Sequence, residues 1–198
     1  MPPATPRCLR CATPTGLVLD GCGRCRVRPW PLAATRVGSD YAFPWDALVR
    51  DLKFHAMLHR AEPLAGLLTQ RIREAGAADV DLVTALPLHA SRLRARGYNQ
   101  AWLIARRVAR ELTLPAVPDL LIRWRTTAPQ TDLDEAQRQR NVAGAFMPAP
   151  AQAARIRGRR VALVDDVTTT GATACAAAQA LLEAGAASVT LWAAVRTP

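Results

Sequence analysis

Residues Arg160 to Thr173, RVALVDDVTTTGAT, constrain the fold more than any other stretch of the chain. Val161 to Asp165 is an apolar run ended by acid, the pattern of a strand buried on both faces of a parallel sheet. A hydroxyl-rich turn with one glycine follows. Ala172 to Ala184 is then rich in Ala and Leu and stops at Gly185, which predicts a helix. Ser188 to Val195 is apolar again, so the piece is expected to be a strand–loop–helix–strand unit of an α/β fold. Ligands on such sheets sit at the carboxyl ends of strands, where this turn lies.

Asp165 and Asp166 put two carboxylates at that strand end, suited to accept hydrogen bonds from the vicinal hydroxyls of a sugar. Thr169-Thr170-Gly171-Ala172-Thr173 then offers side-chain hydroxyls and backbone N–H groups at a helix N-terminus, a phosphate cradle. A ligand carrying both a ribose diol and a phosphate satisfies both halves. A bare phosphate would be repelled by the carboxylates unless a diol or metal lay between. The plainer alternative is an acidic strand end followed by an N-capped helix.

The stretch resembles the 5-phosphoribosyl 1-diphosphate (PRPP) binding motif of type I phosphoribosyltransferases: two aliphatics, an acidic pair, two spacers, two hydroxyls, Gly, one residue, and a hydroxyl. The resemblance implies that Asp165 and Asp166 hold the ribose, and that Thr168, Thr169, Thr170, Gly171, Ala172 and Thr173 surround the 5-phosphate. It also implies magnesium arriving with PRPP. Thr168 departs from the aliphatic spacer of relatives.

Composition adds a basic excess. The 198 residues carry a net charge of +10, and Lys53 is the only lysine. Compositional bias explains Arg in place of Lys but not the excess of positive over negative charge. Forked arginine donors suit phosphates, on a nucleotide or on nucleic acid. No stretch approaches the roughly 18 apolar residues of a membrane helix. The N-terminus shows no apolar signal region, so a cytoplasmic protein with reduced cysteines is expected.

Cys8-Leu-Arg-Cys11 and Cys22-Gly-Arg-Cys25 are two CxxC knuckles ten residues apart. Four thiolates so spaced predict a closed tetrahedral zinc site rather than a redox pair. Such a site is structural, and its few apolar neighbours would not fold without metal. Residues 1–38 are therefore assigned to a zinc-ribbon module with its linker, Arg26 to Ser39 being read as linker or extended connection. Residues 39–198 are assigned to the main domain. Within it, apolar spacing predicts two helices between Trp45 and Ile72, broken near Glu62-Pro63. His55 and His59 lie at i and i+4, with no third ligand nearby, and read as a solvated face. Asp79 to Pro87 reads as a strand, His89 to Tyr98 as a loop with Arg92, Arg94 and Arg96, and Asn99 to Leu112 as a helix. A short strand is expected around Leu120 to Trp124. Thr126 to Asn141 is a polar stretch of the length of a functional lid. Cys175 reads as a small core residue.

The middle of the chain is similar to the ComF family. Pro87-Leu88-His89, Arg92 and Arg96-Gly97-Tyr98-Asn99-Gln100 match one of its segments; Gln130-Thr131-Asp132-Leu133, Arg138, Asn141-Val142 and Gly144-Ala145-Phe146 match another. Tyr41, Lys53-Phe54 and the knuckles match earlier landmarks, with Ala56 and Asp132 standing where relatives carry Gly. This resemblance implies a type I phosphoribosyltransferase-like parallel sheet flanked by helices behind a small zinc ribbon. As an enzyme it would transfer phosphoribose from PRPP with loss of diphosphate. Asp165, Asp166 and Arg96 would be catalytic, and Arg92, Arg96 and Arg138 or Arg140 would hold the diphosphate. The biological role implied is DNA uptake in natural competence, with single-stranded DNA and other uptake proteins as partners. A non-catalytic DNA-binding or PRPP-sensing protein on the same fold is the alternative.

Overall fold

A computed structural model of the chain describes residues 6–27, 30–76, 79–125 and 142–197. The central sheet holds β1 (Ala34–Asp40), β2 (Leu82–Ala85), β5 (Arg160–Thr168) and β6 (Ser188–Arg196), all parallel, in the order β1-β6-β5-β2. A bridge from Val83 to Ala116 extends the sheet beyond β2. A separate antiparallel pair, β3 (Leu121–Arg123) with β4 (Phe146–Pro148), stands beside it.

Alternation along the strands sorts the apolar side chains onto two faces. Ala162, Val164, Trp192, Ala194 and Val83 pack with α2 (Trp45–Phe54), α3 (Ala61–Glu74) and α5 (Gln100–Glu111). Val161, Leu163, Val189, Leu191 and Leu82 turn the other way, to the helix Ala172–Glu183 (α6 here) and the β3–β4 pair. Leu52, Leu64, Leu68, Ile104, Leu163, Leu181, Leu191 and Trp192 are fully buried. Each contributes roughly 1.5–3 kcal/mol through removal of its apolar surface from water. Gly38 is required where β1 meets β6: a Cβ there would lie 2.5 Å from the Ala194 carbonyl oxygen.

The strand–loop–helix–strand unit forms as the sequence predicts, β5 running on through both aspartates to Thr168. Three local readings are corrected. The span Arg26 to Ser39, read as connection, contains the edge strand β1. The break between the first two helices falls at His55–Met57, followed by a 3-10 turn at Leu58–Arg60; Pro63 sits in the first turn of α3, where backbone N–H groups have no intrahelical acceptor. His89 to Tyr98 is mostly the helix α4 (Ala90–Arg96), with the His89 ring accepting from the Ser91 N–H and Gly97 closing it at φ 82°. No α4 side chain is buried, so the segment has no apolar stripe to betray it. The short α1 (Gly23–Val27) lies among the N-terminal cysteines. Among the described residues no helix is long and apolar enough to cross a membrane.

Candidate functional site

The carboxyl end of β5 delivers two adjacent aspartates to opposite sides of the sheet. Asp166 is 3% exposed and faces α2 and α5. Its Oδ2 lies 2.7 Å from Lys53 Nζ, and its Oδ1 accepts from Gln100 Nε2 at 3.4 Å. Burial alone would push this carboxyl up, but the Lys53 ammonium and the surrounding hydrogen bonds hold it below the usual carboxylate range. For Lys53, burial works downward and the charge of Asp166 outweighs it, keeping the ammonium protonated. Among the described residues Asp165 has no ion pair of its own and feels the Lys53 charge only as a smaller, opposing effect. Burial, then the neighbouring Asp166 charge, push it well above the usual range. Its Oδ1 accepts the Asp166 N–H at 2.9 Å. The pair therefore divides into one ionised, anchored carboxylate and one poised to gain from a hydroxyl or cation.

Two cavities meet at Asp165. One of about 200 Å³ is lined by Lys53, Asp165 and the turn residues Thr168, Thr169, Gly171, Ala172 and Thr173. The other, about 180 Å³, is lined by Pro87, Arg92, Gln100, Arg123, Asp165 and Asp166 among others. Lys53, Asp165, Val167 and Thr173 line both. Gly171 caps α6 at φ 77°, a left-handed conformation open to glycine at no steric cost.

The structure thus brings Asp165, Asp166, Thr168, Thr169, Gly171, Ala172, Thr173 and Arg92 to one connected cleft. Thr170 lines the apolar cavity beside Trp30, and its hydroxyl accepts from the Ala172 N–H at 3.4 Å. Arg96 does not line the cleft. Its Nη1 donates to Gln100 Oε1 at 2.5 Å, behind the amide that reaches Asp166. Arg138 and Arg140 lie outside the described residues.

Sequence reasoning missed three cleft residues. Lys53, singled out only as the lone lysine, is a half-buried side chain paired with Asp166. Gln100 sits in the first turn of α5 and is 5% exposed. Arg123, on β3, is 8% exposed and stacks 5.5 Å from the Phe146 ring centroid. Burial, then the charge of Arg92, lower its pKa. A charged residue closing the apolar β3 was the available signal. Two guanidiniums facing one small cavity form a seat for a polyanion.

The four knuckle cysteines form a second centre. Cys8, Cys11 and Cys25 are buried, and all four Sγ atoms lie within 4.8 Å of one another. The separations Cys11–Cys22, Cys22–Cys25 and Cys8–Cys25 are 3.7, 3.8 and 4.0 Å. A thiolate tetrahedron around an ion bound at about 2.3 Å has edges of about 3.8 Å, so the cluster fits a metal and is compatible with a zinc ribbon. The Cys22 N–H donates to Cys8 Sγ at 3.3 Å. Burial works against the Cys8 thiolate, yet backbone donors bring its pKa down to about 7. Cys25 is pushed up by burial and by its sulfur neighbours, a crowding of like charge that a divalent cation relieves. His55 is exposed and pairs with Asp51 at 3.2 Å. Among the described residues, the cysteines are the only group of three or more His, Cys, Asp or Glu side chains close enough to share an ion.

Residues 99–198 match the phosphoribosyl transferase domain. The chain is 36% identical over 195 residues to the DNA utilization protein YhgH of Salmonella typhi, covering 96% of this chain and 84% of that one. It is 29% identical over 191 residues to Competence protein F of Haemophilus influenzae, covering 94% and 83%. Among solved structures, the glutamine phosphoribosylpyrophosphate amidotransferase of B. subtilis, complexed with ADP and GMP, aligns with a TM-score of 0.46 and 23% identity. That alignment covers 68% of this chain and 26% of the amidotransferase. The matched domain, the relatives along nearly the whole length and the cysteine cluster in front together make this chain a member of the ComF family of phosphoribosyltransferase-domain proteins.

Proposed function

We propose that the cleft binds PRPP with magnesium. The observation carrying this reading is the junction of the two cavities at Asp165: a hydroxyl-lined pocket at a helix N-terminus on one side and an Arg92–Arg123 pocket on the other. A phosphate, a ribose diol and a diphosphate in that order match the chemistry of the three parts. The hydroxyls and N–H groups of residues 168–173 take the 5-phosphate. Asp165 and Asp166 accept from the ribose hydroxyls, and Asp166 stays ionised because Lys53 holds it. Arg92 and Arg123 oppose the diphosphate charge; Arg138 and Arg140 of the polar segment join them in this reading. Arg96 acts through Gln100 to orient Asp166.

Magnesium arriving with PRPP would supply neutralisation of the diphosphate charge, beside Arg92 and Arg123. If an acceptor is present, departure of diphosphate leaves positive charge on the ribose, which the two carboxylates stabilise and the arginines complement from the leaving-group side. The cysteine cluster holds zinc as a structural centre, which fits thiols kept reduced in the cytoplasm.

The names of the relatives suggest that this chemistry serves DNA utilization, and one observation favours direct contact with single-stranded DNA. Arg106, Arg107 and Arg110 of α5, with His59 and Glu62, line a groove of about 550 Å³, in which Arg107 is paired with Glu62 and Glu111 and the other two arginines supply the net positive charge. Affinity that falls steeply with salt would support that second role, and flat salt dependence would remove it. The primary reading is tested by calorimetric titration with PRPP and magnesium, with diphosphate assayed in the same samples. Binding is expected; release marks a transferase and retention a sensor. Absence of binding removes the proposal.

A further inference from the structure

The cysteine knuckle and the phosphate turn are far apart in sequence, yet three contacts join them. Arg24, inside Cys22-Gly23-Arg24-Cys25, donates through Nη2 to the Thr170 carbonyl at 2.9 Å, across 146 residues. A second path starts at a metal-site sulfur. Cys11 Sγ lies 3.2 Å from Thr13 Oγ1, and Arg196 Nη2 donates to that hydroxyl oxygen at 3.0 Å. Arg196 Nη1 donates to the Thr169 carbonyl. With Cys11 as a thiolate, the Thr13 hydroxyl spends its proton on the sulfur and accepts from Arg196. The third contact is Trp30. A Cβ on Gly171 would come 3.0 and 3.1 Å from its ring carbons, and the same ring packs on the cysteine cluster. Arg24 stands 6.0 Å from the centroid of that ring.

These contacts hold two successive carbonyls, Thr169 and Thr170, from the knuckle side. In a trans peptide the C=O and the following N–H point in opposite directions. Fixing both carbonyls therefore turns the N–H groups of Thr170 and Gly171 away from the knuckle, in the conformation an oxyanion cradle needs. Charge works in the same sense. Four thiolates around a divalent cation carry a net charge of −2, which would repel a phosphate nearby. Arg24, from the knuckle, and the 5%-exposed Arg196, from the end of β6, both reach the turn and offset it.

We propose that the knuckle is a clamp on the phosphate turn, so that metal loading at Cys8, Cys11, Cys22 and Cys25 is coupled to binding of a phosphorylated ligand at residues 168–173. Arg24 is the positioning residue of one arm and the Thr13–Arg196 relay is the other. The ligand half of this inference rests on the PRPP reading above; the clamp itself does not. Linkage makes the effect reciprocal: ligand slows loss of the metal by the factor by which the metal tightens the ligand.

The test uses the full-length metal-loaded protein, its chelator-stripped form, and the variants Arg24→Ala, Arg24→Lys and Thr13→Val. Hydrogen exchange of the peptide spanning residues 168–174 reads the clamp without any ligand. Exchange there is expected to rise about tenfold on stripping and in Arg24→Ala, with Arg24→Lys close to wild type and metal content unchanged in all three variants. Thr13→Val loosens the same peptide by breaking the relay. Titration with PRPP and magnesium then reads the coupling. Affinity is expected to fall at least about fivefold in Arg24→Ala, and PRPP is expected to slow metal transfer to a chromophoric chelator in the wild type. A turn whose exchange ignores both stripping and Arg24→Ala overturns the clamp. A wild type that does not bind PRPP overturns the PRPP reading instead, and the exchange result alone then decides the clamp.

Discussion

Replacing Lys53 with Met isolates the electrostatics of the cleft without opening a hole, since the two side chains are similar in length. In the wild type, Lys53 Nζ and Asp166 Oδ2 are 2.7 Å apart, with side chains 22% and 4% exposed. Removing one member of a buried pair costs about 3–5 kcal/mol, because the other charge is left desolvated. The partial exposure of Lys53 puts the expected loss at the low end, about 3 kcal/mol, or roughly 6–12 °C in Tm for a chain of this size. The pH dependence carries the sign. Lys53 depresses the folded pKa of Asp166, so the wild-type contribution is present above the ordinary carboxylate value and fades as pH falls through the depressed one. Without Lys53 the same buried carboxylate sits beside Asp165 with its pKa above the unfolded value, so the variant regains stability as pH falls. Urea unfolding of both proteins at pH 8 and pH 5 should show a gap that narrows toward the acid side. A gap under about 1 kcal/mol, or one equal at both pH values, would refute the pairing as the organising interaction of the site.

Other parts of the molecule give equally direct expectations. Ala56 follows α2 at φ 52°, a left-handed conformation that costs an L-residue about 1–2 kcal/mol, so Ala56→Gly should raise stability by about 1 kcal/mol; a lower Tm would show the position is not strained. Cys8→Ser should lower bound metal per chain, measured by elemental analysis, and loosen residues 6–27; metal equal to wild type would contradict a four-sulfur site. Arg123→Leu should weaken PRPP about 10–100-fold while leaving ribose 5-phosphate nearly unaffected, since only the former carries a diphosphate; equal losses for both ligands would move Arg123 out of the diphosphate seat.

Much of this site is readable in the sequence because its parts are local. Strand, turn and helix from Arg160 to Glu183 follow one another, and each element has its own signature: an apolar run, a glycine at positive φ, an alanine-rich helix. The cysteine spacing is equally local. What the sequence concealed is contact between distant elements. Lys53 on α2, Gln100 on α5 and Arg123 on β3 come together around the aspartates only after the sheet has assembled, and the local marks they leave are slight: a lone lysine and one arginine ending an apolar strand. The helix α4 was hidden for the opposite reason: it buries no side chain, so the alternation of Arg92, Arg94 and Arg96 resembles a solvated loop. Ala56 shows how a single departure can be understood afterwards, since the left-handed turn explains why glycine suits the position.

The central claim is that the end of β5 holds the ribose of PRPP, and Asp165→Asn tests it most directly. Asp165 lines both cavities and carries no ion pair among the described residues, whereas changing Asp166 also strands Lys53 and confuses binding with folding. Calorimetric titration of wild type and Asp165→Asn with PRPP and magnesium, at matched Tm, should show at least about a tenfold loss of affinity, the worth of a charge-assisted hydrogen bond. Equal affinity in the two proteins would contradict the ribose site.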